Sequence, residues 1–152
     1  MLSFCNKVAF KLRIMSYHSQ AETLIRKTDA RVTSKRVMVL AFLLQQSRPF
    51  THHEVLAQLD VKSPIDSVTL YRVLEWLVEA KLIHKIAGDD QIWRFSAAKS
   101  PASHEHAHFQ CSSCAMVTCF TEIKLPRNIS LPAGFQCQEV NFMLKGLCPR
   151  CC

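Results

Sequence analysis

The chain has 152 residues and a mass of 17.3 kDa, and 49% of its residues are hydrophobic, which is enough for one medium core or two small ones; two are expected. Lys and Arg number 19 against 12 Asp and Glu, giving a net charge of +7 and a pI near 9.1. That balance favours a polyanionic partner, nucleic acid ahead of an anionic membrane, and excludes an acidic or disordered tail.

In chain order, the opening MLSFCNKVAFKLRIM is faintly amphipathic but broken by Lys7, Lys11 and Arg13. It offers neither a spanning helix nor a signal h-region, and with a second methionine at Met15 it reads as a dispensable extension over residues 1–15. The expectation is a cytosolic protein with no membrane contact. Apolar periodicity over Ala21–Ile25 and Val37–Leu44 predicts two helices, the second capped by Thr33 or Ser34 and ended by Pro49. Thr51 can cap a third helix through Leu59, with Val55, Leu56 and Leu59 on its apolar face. Lys62–Ile65, interrupted by Pro64, is a turn. Asp66 or Ser67 caps a long helix from Val68 to about Leu82, burying Leu70, Val73, Leu74, Leu77 and Val78. Leu82–Ala87 and Gln91–Ser96 flank Gly88-Asp89-Asp90 as a hairpin. Helices followed by a basic hairpin suggest a winged helix-turn-helix over residues 16–96.

Residues 97–103 are small, polar and broken by Pro101, so they form a hinge. Beyond it, over 104–152, His108–Cys111, Met116–Phe120 and Phe135–Lys145 read as strands. Pro126 and Pro132 leave room between them only for a short helix. The fold class is α+β.

Eight cysteines stand at 5, 111, 114, 119, 137, 148, 151 and 152. Cys111-Ser-Ser-Cys114 and Cys148-Pro-Arg-Cys151 are two Cys-x-x-Cys knuckles. One knuckle offers two thiolates from a tight turn, and two complete the closed four-sulfur shell of a structural Zn2+. In a cytosolic chain this outranks a disulfide framework or a thioredoxin-like pair. Cys152 could replace Cys151, although the spacing favours Cys151; Cys5 is unassigned, and Cys137 is expected as a small core residue.

Just before the first knuckle stands His104-Glu-His106-Ala-His108. Residues two apart share a face in extended chain, so the three imidazoles can hold a borderline metal such as zinc. A further ligand must come from elsewhere: His84 first, then Cys119 and Glu122.

With those residues in view, the chain from about Ala21 to Cys151 resembles the ferric uptake regulator superfamily. Thr33-Ser-Lys-Arg-Val-Met-Val-Leu40 is similar to its T-x-x-R-x-x-V-L segment, and Ser67-Val-Thr-Leu-Tyr-Arg-Val-Leu74 to its A-T-V-Y-R-x-L recognition helix. His106-Ala-His108-Phe-Gln-Cys111-Ser-Ser-Cys114 resembles H-x-H-x-x-C-x-x-C, and Gly134-Phe135 through Gly146-Leu-Cys148-Pro-Arg-Cys151 resembles the closing G-F…G-x-C-x-x-C. The resemblance implies an N-terminal winged-helix DNA-binding domain, a small C-terminal α/β dimerisation domain, and a homodimeric repressor on double-stranded operator DNA. It assigns Arg36, Ser67, Thr69, Tyr71 and Arg72 to DNA, with the Tyr71 ring against a thymine methyl. A regulatory metal between the domains would fix the wings in a DNA-competent pose.

The departures concern that metal. Pro49 replaces a hinge histidine, because His52 and His53 lie inside the third helix, His52 at a solvent-facing start. Arg94 falls where an acidic ligand is usual, Ala107 replaces a carboxylate, Val140 a histidine, and Cys119 a frequent Glu. Losing hard oxygen ligands and gaining a thiolate favours zinc over iron or manganese, so the zinc uptake regulator branch is nearest and the second ion is expected to be Zn2+. The alternatives are an iron- or peroxide-sensing regulator of the same fold, or a zinc-binding protein without a DNA role. An enzyme is not expected: His52-His-Glu54 offers H-x-E, but the deaminase signature needs Pro before its Cys pair, and a shell of four cysteines leaves no water site.

Overall fold

The computed structural model describes residues 16–60, 64–88, 90–97, 106–124, 130–137, 140 and 142–152. The proposed extension, the 98–103 portion of the hinge, His104 and most of the segment between Pro126 and Pro132 lie outside the described residues.

A first helix, α1, covers residues 16–26 and buries Ala21 and Ile25. Of the two caps open to α2 (Ser34–Leu44), Thr33 takes the role: its hydroxyl accepts from the Arg36 amide at 3.4 Å. A two-residue strand β1 (Phe50–Thr51) leads directly into α3 (His52–Asp60). That helix starts on a reciprocal cap, in which the Glu54 amide donates to Thr51 Oγ1 at 3.2 Å and the Thr51 amide donates to the Glu54 carboxylate at 2.8 Å. Asp66 caps α4 (Ser67–Glu79) by accepting from the Thr69 amide at 2.8 Å. Leu70, Val73, Leu74 and Leu77 of α4 are buried as the periodicity predicts, whereas Val78 is only half-buried. They pack on Val37, Leu40 and Ala41 of α2, with Val55 and Leu59 of α3 completing the cluster. Leu74 is fully buried, so truncating it to Ala would cost about 2 to 5 kcal/mol.

Strands β2 (Ile83–Ala87) and β3 (Trp93–Ala97) form the wing, and β1 joins β3 to give a three-stranded sheet of order β1-β3-β2. The turn between them uses a left-handed Gln91 at φ 56° and a Gln91 amide bond to the Gly88 carbonyl at 3.0 Å. The antiparallel register sorts the wing into two faces. Ile83, Ala97 and Phe95 lie on one face and belong to the helical core. His84, Ser96, Ile86 and Arg94 lie on the other; Ile86 is buried there, outside that core.

The second sheet is built from β4 (His106–Cys111), β5 (Val117–Lys124) and β6 (Met143–Gly146) in the order β5-β4-β6, with β4 and β6 parallel. The strand expected over Phe135–Lys145 is corrected: among its described residues only Met143–Lys145 lie in a strand, because a parallel partner of β4 must first be reached by a crossover. Gly134 at φ 91° opens that crossover, Phe135 is 71% exposed, and Cys137 is exposed rather than a core residue.

Candidate metal centres and nucleic-acid interface

The two knuckles close on each other. β4 delivers Cys111 at its last residue, and the chain turns so that the Ala115 amide donates back to the Cys111 carbonyl at 3.0 Å, with Ala115 left-handed at φ 56°. The second knuckle turns the same way, the Cys152 amide donating to the Cys148 carbonyl at 3.1 Å. Parallel pairing of β4 with β6 brings the two turns together, since Cys111 sits opposite Gly146 and the Ser112 amide donates to the Gly146 carbonyl at 2.8 Å. The Cys111, Cys114, Cys148 and Cys151 sulfurs all lie within 4.8 Å of one another. Zinc–sulfur bonds in a tetrahedron hold sulfurs about 3.8 Å apart, and the Cys114 and Cys148 Sγ atoms are 3.8 Å apart. Backbone amides of Cys114 and Cys148 pull the Cys111 thiol down to about 6. A hydrogen bond from Ser113 favours the Cys151 thiolate, but the Cys148, Cys114 and Cys111 sulfurs, which accept its proton, and burial outweigh it and push Cys151 up to about 12. Four sulfurs this close cannot all ionise without a cation among them, so the donor set fits a zinc-like ion.

A second cluster joins the two sheets. His84, on the outer face of β2, meets His108 of β4 and Cys119 of β5, their ligand atoms all within 4.8 Å. Cys119 Sγ is 3.5 Å from His108 Nδ1 and 3.9 Å from His84 Nε2, and the two rings are 5.4 Å apart between centroids. A tetrahedral ion with one sulfur and nitrogen ligands places such pairs about 3.6 Å apart. Both histidines are buried, and Cys119 is half-buried. Antiparallel pairing of His108 with Cys119 puts the two on one face of the sheet, so two of the three donors are set by register alone.

The other sequence candidates fall differently. His104 lies outside the described residues, and only the backbone of His106 is described. A register shift between His106 and Ala107 interrupts the simple alternation expected of the three histidines. Glu122 is exposed and is not in the cluster. Cys152 is exposed, its thiol directed to the Leu147 carbonyl at 3.7 Å, and Cys151 is the one gathered with the other three sulfurs.

Arg94, at the wing position where the resemblance implies an acidic ligand, is buried at 8% exposure. Its guanidinium bonds to Asp90 at 2.9 and 2.6 Å and to the Ile92 carbonyl at 3.1 Å, and reaches the Ala115 carbonyl of the first knuckle at 3.4 Å. That bond to Asp90 holds its carboxyl down at about 2. In the sequence Arg94 stands out only as a residue that cannot coordinate; a basic side chain beside two wing-turn aspartates was the available signal for an internal ion pair.

On the helical side, Ser67, Tyr71 and Arg72 of α4 are exposed, Tyr71 at 54%, and Thr69 is half-buried with its amide bonded to Asp66. Arg36 differs: its guanidinium lies 3.6 Å over the Trp76 ring and donates to the Arg31 carbonyl at 2.8 Å, so it stabilises the domain from within. His52, expected at a solvent-facing helix start, is half-buried and bonded to the Ser67 carbonyl of α4.

The ferric uptake regulator family model matches residues 27–144. The ferric uptake regulation protein of Bacillus subtilis (strain 168) is 28% identical over 132 residues, 84% of this chain and 89% of that one. The zinc uptake regulation protein of Escherichia coli (strain K12) is 25% identical over 137 residues, covering 88% and 80%. Among solved structures, a zinc uptake regulator complexed with zinc and DNA superposes with a TM-score of 0.65 at 20% identity, covering 90% of this chain and 93% of that one. Because the family match runs through α2, α3, α4 and the wing and into the last strand of the second sheet, the chain belongs to the ferric uptake regulator family, whose members are metal-dependent DNA-binding regulators and not enzymes.

Proposed function

We propose that this chain is a zinc-responsive transcriptional repressor that acts in the cytoplasm as a homodimer on operator DNA. A structural Zn2+ would sit in Cys111, Cys114, Cys148 and Cys151, and a regulatory Zn2+ would be held by His84, His108 and Cys119. The observation that carries the reading is the convergence of His84 from the wing with His108 and Cys119 from the second sheet. An ion bound there neutralises the thiolate and ties the wing to the second sheet, so it favours the arrangement in which the ligands meet. Two imidazoles and a thiolate, with no carboxylate in the cluster among the described residues, suit zinc better than iron or manganese. His104 and His106 remain candidates for a further ligand, whereas Glu122 stands outside the cluster. Homodimerisation is supported by the opposite face of the second sheet, where Phe120 and Leu144 are 39% and 40% exposed beside Phe109. Among the described residues no helix is long and apolar enough to cross a membrane.

The decisive experiment is elemental analysis of purified protein, followed by titration of duplex affinity with Zn2+, Fe2+, Mn2+ and Ni2+. Two zinc ions per chain are expected, with Zn2+ producing the tightening. His84→Ala, His108→Ala and Cys119→Ser should each keep one ion and the dimer yet lose the metal-dependent gain, typically about 1 to 3 kcal/mol. Full activation of all three variants by zinc would refute the assignment.

A further inference from the structure

The first turns of α3 and α4 meet through His52. Its backbone is fixed twice, by pairing of the preceding Thr51 with Arg94 of β3 and by the reciprocal cap between Thr51 and Glu54. Its Nε2 lies 3.1 Å from the carbonyl oxygen of Ser67, the first residue of α4. A carbonyl can only accept, so Nε2 carries the proton and donates. One turn further along α4, the Tyr71 ring stands 6.3 Å from the imidazole between centroids, tilted by 58°. Ser67 and Tyr71 are both exposed and both belong to the face assigned to DNA. A helix's first carbonyl already accepts from the amide four residues on, so the imidazole bond is an additional tie on a terminus that would otherwise fray.

We infer that His52 is a positioning residue for DNA recognition: it fixes the first turn of α4 and the standing of the Tyr71 ring, so that Tyr71 reaches the duplex already ordered. This rests on the reading that α4 enters DNA. Holding an exposed aromatic side chain before binding lowers the ordering cost of the complex without adding a contact to it. The effect belongs to affinity rather than stability, because a single hydrogen bond at a half-exposed helix start adds little to a core made by Leu70, Leu74 and Leu77.

The test uses the full-length, zinc-loaded chain and a duplex selected by that chain from a random-sequence library, with affinity read by fluorescence anisotropy at fixed salt. His52→Ala should weaken binding by about threefold to tenfold, the scale of ordering one side chain on binding. His52→Gln, which keeps an N–H donor, should restore most of the loss, with metal content and melting temperature unchanged in both. In a cycle with Tyr71→Ala, the double variant should bind no more weakly than Tyr71→Ala alone, because His52 acts through that ring. Should the alanine variant fold poorly, His52→Leu, which keeps bulk without a donor, takes its place. Wild-type affinity in the donor-less variant, or losses that add in the double variant, overturns the inference while leaving α4 on DNA. If Tyr71→Ala itself binds as tightly as wild type, the assignment of α4 to DNA fails and the inference fails with it.

Discussion

At the scale of single residues, Arg36 and Arg94 are placed differently from Arg72. Arg72 is exposed on α4, whereas Arg36 covers Trp76 and Arg94 is enclosed by Asp90 and two carbonyls. Arg72→Ala should therefore weaken specific duplex binding by about 1 to 3 kcal/mol and leave the melting temperature unchanged. Arg36→Ala should lower the melting temperature, losing a cation–π contact worth about 0.5 to 1 kcal/mol, with a smaller effect on affinity. Calorimetry and anisotropy on the same samples separate the two, and a reversed pattern would exchange their assignments.

At the scale of elements, the wing turn is held together by an ion pair. Asp90 has its carboxyl depressed from 3.8 to about 2, chiefly by the hydrogen bond from Arg94 and also by the Ile92 amide. A depressed carboxylate contributes stability that is fully present above its unfolded value and is lost as pH falls from about 4 towards 2. The melting-temperature difference between the wild type and Asp90→Asn should consequently stay constant from about pH 5 to pH 8. With the Asp90 side chain 27% exposed, solvent screening leaves about 1 kcal/mol. A difference that grows or shrinks through neutrality would mean that another group carries the effect. Gly88 lies under the same pair: a Cβ there would stand 2.5 Å from Arg94 Nη1 and from Asp90 Oδ1, and 3.1 Å from Gln110 Nε2 of β4. Gly88→Ala should displace the pair and cost about 1 to 3 kcal/mol, measurable by chemical denaturation.

At the scale of the whole molecule, the four-cysteine centre closes the second sheet by joining the end of β4 to the turn after β6. Cys111→Ser or Cys148→Ser should release the structural ion and abolish a stable dimer, since apparent binding energies of about 10 kcal/mol or more are folding energy in such sites. Elemental analysis with sedimentation checks this, and a variant that stays cooperative and dimeric would contradict it. The same knuckle supplies the Ala115 carbonyl to Arg94, so its collapse should also loosen the wing.

Much of this was legible in the chain itself. Cys-x-x-Cys turns are local, so spacing alone identified the four sulfurs that the structure gathers, and the helical stripe of α4 followed from a 3.6-residue period that needs no partner. His84 and Cys119 could be named only as candidates. Their meeting with His108 depends on antiparallel pairing of β4 with β5 and on which wing face turns outward, both non-local. The described residues from Phe135 to Phe142 read as strand and are not, because apolar residues such as Phe135 carry the same pattern whether or not a partner strand exists. The partners of His52 and Arg94 are hidden from the sequence for a related reason: the Ser67 and Ala115 carbonyls reach them only when the chain is folded.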